Sequence, residues 1–302
     1  MNMKLNILLS DADFYPNENN KNYTMMYSVE QYIEYFMIPQ FSYNFSNEKA
    51  DITIHGVQSG STEFKTNTIN MLISVENMNR WDWYSHYNKY GNYNNKDMHI
   101  YLYNHITKLV KTEDYIAIPM IFCRINYYMI NCNKIGPSLF TSFNDKKFCL
   151  MINKSKLNCE IDIISSWLSN IGTVDNISMY DDIIKTESCY NSIILLNVFN
   201  KYKFIICFEN SYDDGYITEK IFNCFFAKTI PIYMGSPIVE KYLNTDSFID
   251  GRNTCKLMET IFLLNSNETL YNKMVNSNKI STSYDDMNYK KEMEEFIIKK
   301  KY

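Results

Sequence analysis

The sequence predicts an α/β protein built in two halves, and three observations predict it. Short apolar runs alternate with segments of helical spacing along most of the 302 residues, as strands and helices do when they are laid down in turn. The series begins again near Lys146, after a stretch at 136–145 that opens on Gly136-Pro137 and carries several polar residues, the composition of a linker. Residues 203–237 spell one complete strand, loop, helix and strand, a parallel crossover unit of an open sheet. The expected boundaries are an N-terminal domain at 1–145, a second domain at 146–284 and a C-terminal helix at 285–302.

Each element has its own warrant. Residues 4–9 form a short apolar run that ends at Ser10-Asp11-Ala12-Asp13, a first strand feeding a loop. Residues 27–37 have helical spacing. Runs at 50–54 and 69–75 read as strands that close on His55-Gly56 and Glu76-Asn77, and 115–121 as an extended segment around Pro119. In the second half, 147–152 reads as a strand, 161–168 as a helix and 193–199 as a helix or loop. The apolar run 204–208 is followed by turn chemistry. Ile221, Phe222, Phe225 and Phe226 then fall on one helical stripe, and 229–234 is a buried-type run closed by Gly235-Ser236-Pro237. The tail 284–302 reads as an amphipathic helix whose Lys299-Lys300-Lys301 end suits a helix C-terminus.

Composition excludes several classes. With 46% hydrophobic and 21% charged residues the chain is globular, and a net charge of −4 offers no basic field for nucleic acid. No apolar run approaches the ~20 residues of a membrane span, and residues 1–10 turn polar too early for a secretory leader. The expectation is a soluble, cytoplasmic protein, with peripheral membrane contact through the lysine tail as the alternative. None of the eight cysteines forms a C-x-x-C pair, so a zinc site lacks its usual spacing and the thiols are expected to be reduced core residues. Nothing in the sequence sets an oligomeric state.

The crossover unit also predicts where chemistry happens. Open parallel sheets bind ligands beyond the carboxyl ends of their strands. Here that edge is the loop 209–217 and the helix start at Thr218, Glu219 and Lys220. A helix N-terminus brings N–H groups and positive potential, and Lys220 adds a full charge. The prediction is an anion site, most simply for a diphosphate.

Phe208-Glu209-Asn210, Tyr216-Ile217-Thr218-Glu219-Lys220, Thr229-Ile230-Pro231-Ile232 and Gly235-Ser236-Pro237 occur in that order. Together they closely resemble the donor-binding segment of the α-1,3-fucosyltransferase family, glycosyltransferase family 10. The resemblance is strong over 203–250 and weaker, though collinear, back to about residue 50. It implies a GT-B architecture, two Rossmann-like domains facing across a cleft, with the acceptor on the first domain and the nucleotide sugar on the second. It also implies an inverting transfer of fucose from GDP-fucose to a glycan hydroxyl, with no cofactor or metal required.

Such a transfer needs a base for the acceptor proton, charge stabilisation for the departing diphosphate, and alignment of the two substrates. Glu76, just past the strand 69–75, is the candidate base, and Val75-Glu76-Asn77 resembles the family segment that carries the catalytic glutamate. Lys220 is the candidate phosphate clamp and Glu219 the candidate ribose ligand. Asn210, Tyr216 and Thr218 complete the donor set. Trp81, Trp83 and His55 are the acceptor-side candidates. Stacking on sugar faces and core packing are both open for the tryptophans, and a plain surface position is open for His55. Glu209 is taken as structural. Asp213-Asp214 reads as a solvated turn, and Asp11-Ala12-Asp13 as a chance match to a metal-binding D-x-D. The family's diphosphate arginine has no counterpart in 172–179, nor in the preceding helix. This keeps two alternatives open: another nucleotide-sugar donor, or an inactive glycan-binding descendant.

Overall fold

A computed structural model describes residues 3–9, 41–45, 49–56, 66–74, 97–104, 106–153, 159–178, 193–285 and 288–301. The chain forms two compact units. One holds Met1–Asn126, Asp213–Tyr216 and Asp285–Tyr302, and the other holds Tyr127–Tyr212 and Ile217–Tyr284.

The first unit is built on a sheet of seven strands: β1 (Met3–Leu9), β2 (Phe41–Phe45), β3 (Ile52–Gly56), β4 (Ile69–Ser74), β5 (Ile100–Tyr103), β6 (Val110–Lys111) and β7 (Ile116–Pro119). Their order is β2-β1-β3-β4-β5-β7-β6, and every pairing is parallel except that of β6 with β7. The expected strands at 4–9, 50–54 and 69–75 are all present within a residue or two. The stretch read as extended at 115–121 ends instead at Pro119, and helix α1 (Met120–Asn131) starts on the next residue. Ile121, Cys123 and Ile125 are buried. Proline ends the ladder it cannot donate to, yet is tolerated beside a helix start. The helix expected at 27–37 lies outside the described residues.

The second unit contains β8 (Lys147–Asn153), α2 (Cys159–Leu168), β9 (Val174–Ser178), α3 (Ile193–Asn200), β10 (Tyr202–Phe208), α4 (Glu219–Phe226), β11 (Ile230–Met234), β12 (Ile249–Asp250), α5 (Thr254–Ser266) and α6 (Glu268–Val275). Its all-parallel sheet runs β12-β11-β10-β8-β9. Counted from the first strand of each sheet, both follow the doubly wound order 2-1-3-4-5, whose ligand edge lies at the carboxyl ends near the switch between strands 1 and 3. In the second sheet that switch is flanked by β8 and β10.

Side-chain alternation along β10 explains the layers. Phe204, Ile206 and Phe208 join one core cluster with residues of α2, α5 and α6, including Ile164, Leu168, Leu257, Ile261 and Tyr271. Cys207 faces the other way, towards Cys224 of α4. The period of two thus buries both faces, as parallel sheets require. The expected boundary at 145 falls instead at Asn126, inside α1, because Tyr128 packs its ring against Phe222, Phe225 and Phe226 of α4 at 5.1–5.9 Å. The last helix, α7 (Tyr289–Lys301), belongs to the first unit and is not a separate piece. Its Tyr289, Met293, Phe296 and Ile297 are buried, and Tyr289 meets Phe122 at 6.0 Å. Its Glu292 takes an ion pair from Lys111 at 2.6 Å.

Candidate donor site at the second sheet's carboxyl edge

The strand β10 ends at Phe208, and the next residue organises the site. The Glu209 N–H donates to Met234 O at 2.8 Å, which carries the ladder one step past the strand and fixes where its side chain points. Its carboxylate is fully buried. The Thr218 N–H donates to Oε1 at 2.7 Å, the Thr218 hydroxyl to Oε2 at 2.7 Å and the Lys220 ammonium to Oε2 at 2.8 Å. The Tyr233 hydroxyl adds a long contact to Oε1 at 3.5 Å. A buried carboxylate is tolerable only when its lone pairs are met in this way.

Thr218 is the N-cap of α4, in extended conformation, with its side-chain oxygen accepting from Lys220 N. That arrangement is a standard way to satisfy an early helix donor. Glu209 therefore places an internal anion at the helix start, where the sequence suggested an external one. Lys220 Nζ lies between Glu209 and the Thr218 hydroxyl, 3.2 Å from the latter, and its side chain remains 31% exposed. The ammonium is both positioned and reachable.

Gly235 is needed for this geometry. A Cβ there would lie 2.4 Å from the Tyr233 hydroxyl and 2.5 Å from Glu209 Cγ, closer than atoms can pack. Burial, and then the charge of Glu209, holds the Tyr233 phenol well above its ordinary pKa, so it stays a neutral donor. Beneath the helix start, burial and the contact with Cys224 raise the Cys207 thiol, so it is no nucleophile. Arg252, just past β12, grips Asp250 with Nε and one terminal nitrogen at 2.8 and 2.9 Å and reaches Pro237 O at 3.2 Å. It ties the Gly235-Ser236-Pro237 turn to the end of β12.

The structure brings Glu209, Thr218 and Lys220 together, with Glu219 between the last two and 3% exposed. Asn210 is exposed. Tyr216 is buried in the first unit after Gly215, whose φ of +79° and close approach to Asn104 O exclude a side chain. His55 departs from expectation. It is fully buried, with Nε2 2.8 Å from Asn70 Oδ1, because its strand position turns it inward towards β4 rather than to a surface. Glu76, Trp81, Trp83, Asp11 and Asp13 lie outside the described residues. Sequence reasoning left the hub itself, Glu209, without a ligand-site role. Its signals were its place in the Phe208-Glu209-Asn210 segment and its position as an acid directly after a buried strand, nine residues before an N-cap threonine.

The model of the C-terminal region of glycosyltransferase family 10 (fucosyltransferase) matches residues 146–296, half of the chain. The chain belongs to glycosyltransferase family 10. This family 10 chain is 38% identical over 101 residues to an α-(1,3)-fucosyltransferase of Helicobacter pylori, covering 30% of the chain and 21% of that protein. It is 35% identical over 83 residues to GDP-fucose protein O-fucosyltransferase 3 of Xenopus tropicalis, covering 26% of the chain and 18% of that protein. These matches thus span about a fifth of each relative's length. A crystal structure of an α1,3-fucosyltransferase with GDP-fucose superposes with a TM-score of 0.63 at 17% identity, covering 98% of this chain and 91% of that one. That likeness establishes the GT-B fold type. Among the described residues no helix is long and apolar enough to cross a membrane.

Proposed function

We propose that the chain transfers fucose from GDP-fucose to a glycan hydroxyl with inversion at the sugar carbon. The observation that carries this reading is the Glu209–Thr218–Lys220 cluster at the carboxyl edge of the second sheet, built from the Phe208–Asn210 and Tyr216–Lys220 segments that resemble the family's. Relatives named for fucosyl transfer and for a GDP-fucose donor support the choice of donor. Glu76, two residues past the end of β4, takes the proton of the acceptor hydroxyl. The oxygen attacks the anomeric carbon, the bond from that carbon to the β-phosphate oxygen breaks, and its electron pair leaves with GDP. Lys220 stabilises that charge, held in place by Glu209. Asn210, which is exposed, orients the donor, and Trp81 and Trp83 receive the acceptor, whereas Glu219 and Tyr216, expected as donor ligands, are buried and act as support for the loop and helix start.

One observation favours a second reading, a different nucleotide sugar. Neither β9 nor α2 carries an arginine, and Arg252 is already bound in a fork to Asp250. A point-charge lysine then carries what a planar donor could share. Thermal-shift titration with GDP, UDP and their sugars separates the two readings: the first expects stabilisation by GDP and GDP-fucose above all others. In a transfer assay, Glu76→Gln is expected to bind GDP as the parent does and to lose turnover, while Lys220→Ala weakens GDP binding severely. Unchanged turnover in the Glu76 variant removes it as the base, and stabilisation by GDP with no turnover in the parent points to a binding protein.

A further inference from the structure

The first unit has a cavity of about 530 Å³ at the opposite, amino edge of its sheet. The residues preceding β3, β4 and β5 meet the end of α7 there, so the walls come from four distant parts of the sequence. Apart from Ile69 the lining is polar. Its volume lies in the range of about 300–1,000 Å³ usual for small-ligand sites.

The floor is already wired. Asn70 is 1% exposed. It donates from Nδ2 to Asp97 O at 2.8 Å and meets His55 Nε2 through Oδ1 at 2.8 Å. Its backbone N–H donates to His99 Nδ1 at 3.1 Å. The neutral His99 ring therefore carries its proton on Nε2. Burial, and then the nearby Lys300 charge, lowers the His99 pKa and keeps the ring neutral. Thr53 and Thr68 share a hydroxyl contact of 2.9 Å, and Asp51 is fixed by Asn6 N at 2.7 Å and Lys301 at 3.1 Å. Fixed polar groups of this kind are what a preorganised site needs.

The groups that vary in chemistry around this floor are the Thr66 hydroxyl, the Asn67 amide on a turn with φ of +63°, the Asp97 carboxylate, the His99 N–H and the Lys300 ammonium. Donors and acceptors alternate, and the two carboxylates balance the two lysines. A net-charged ligand gains nothing from such a lining, and an apolar one would strip it of water without replacement. A neutral molecule with many hydroxyls satisfies it, because each hydroxyl both donates and accepts. We propose that this amino-edge cavity is a saccharide-binding site for one or two neutral sugar rings, separate from the carboxyl edge where Glu76 follows β4.

The test is saturation-transfer NMR on the whole chain. The probes are fucose, galactose, N-acetylglucosamine and N-acetyllactosamine, with inorganic phosphate and glycine as charged and zwitterionic controls. Saturable transfer to a neutral sugar is expected to persist in excess GDP. It should weaken about fivefold or more in Thr66→Val and in Lys300→Met, the loss of roughly one hydrogen bond. Thr66 is exposed and Lys300 half-buried, and an unchanged melting temperature shows that each variant is folded. Asn67→Gly, which keeps the turn and deletes the amide, supplies a third reading should either variant melt early. The proposal is overturned if no neutral sugar saturates, if phosphate or glycine binds more tightly, or if the folded variants bind sugar as the parent does.

Discussion

Glu209 in the second unit and Asp51 in the first are the same device at different depths. Each carboxylate accepts one backbone N–H at 2.7 Å, from Thr218 or from Asn6, and pairs with one lysine, Lys220 at 2.8 Å or Lys301 at 3.1 Å. The Glu209 side chain is wholly buried and also holds two hydroxyls, whereas that of Asp51 is 17% exposed. Coulomb attraction is similar in kind for both pairs, but water can replace the partner only at Asp51. Depth, and not the salt bridge as such, decides what each pair is worth.

The largest test of that comparison removes the lysine over the buried carboxylate. Lys220→Met is expected to cost about 3–5 kcal/mol in chemical denaturation, since it strands a buried charge. Glu209→Gln is expected to cost less, about 2 kcal/mol, because the ammonium left behind can turn to water. If the order reverses, Lys220 owes its position to something other than Glu209. Next, Gly235→Ala is expected to cost about 1–3 kcal/mol by overpacking, and Tyr233→Phe in the same chain is expected to restore part of it by removing the hydroxyl 2.4 Å away. No rescue would place the clash on Glu209 Cγ and the Tyr233 ring carbon, at 2.5 and 2.7 Å, and not on the hydroxyl. At the shallower pair, Asp51→Asn is expected to cost about 1 kcal/mol or less, and a loss equal to that of the Glu209 variant would refute the argument from depth.

The smallest effect is a pH dependence of the first unit. The folded His99 has a pKa below its ordinary 6.5, through burial first and Lys300 second. Its contribution to stability is therefore whole above pH 6.5 and falls as pH drops through 6.5 towards the lower folded value, because the unfolded chain then binds the proton first. Melting temperature against pH should show this slope, and His99→Gln should flatten it.

Much of the second unit was legible because its signals are local. Turn residues after β10, the stripe of Ile221, Phe222, Phe225 and Phe226, and the Gly235-Ser236-Pro237 closure each report a backbone state within a few residues. The first unit was less legible. β5 was not anticipated, and α1 was hidden by Pro119, which is compatible both with the strand it ends and with the helix it precedes. Glu209 was read as structural, and it turned out to be the residue through which Thr218 and Lys220 are placed. His55 was read as an acceptor-side residue, with a plain surface position as the alternative, and the pleat of β3 turned it inward.

By itself the sequence determined the alternation of strands and helices, the donor-side segment and the family, because periodicity and turn chemistry are properties of neighbours along the chain. Only the tertiary structure decided that the charge at the start of α4 is met from within by Glu209. Only it showed that Gly235 makes room for that meeting, and that residues near 51, 67, 98 and 300 enclose one cavity. Those facts depend on strand order and register, which bring distant residues together at distances that no local pattern encodes.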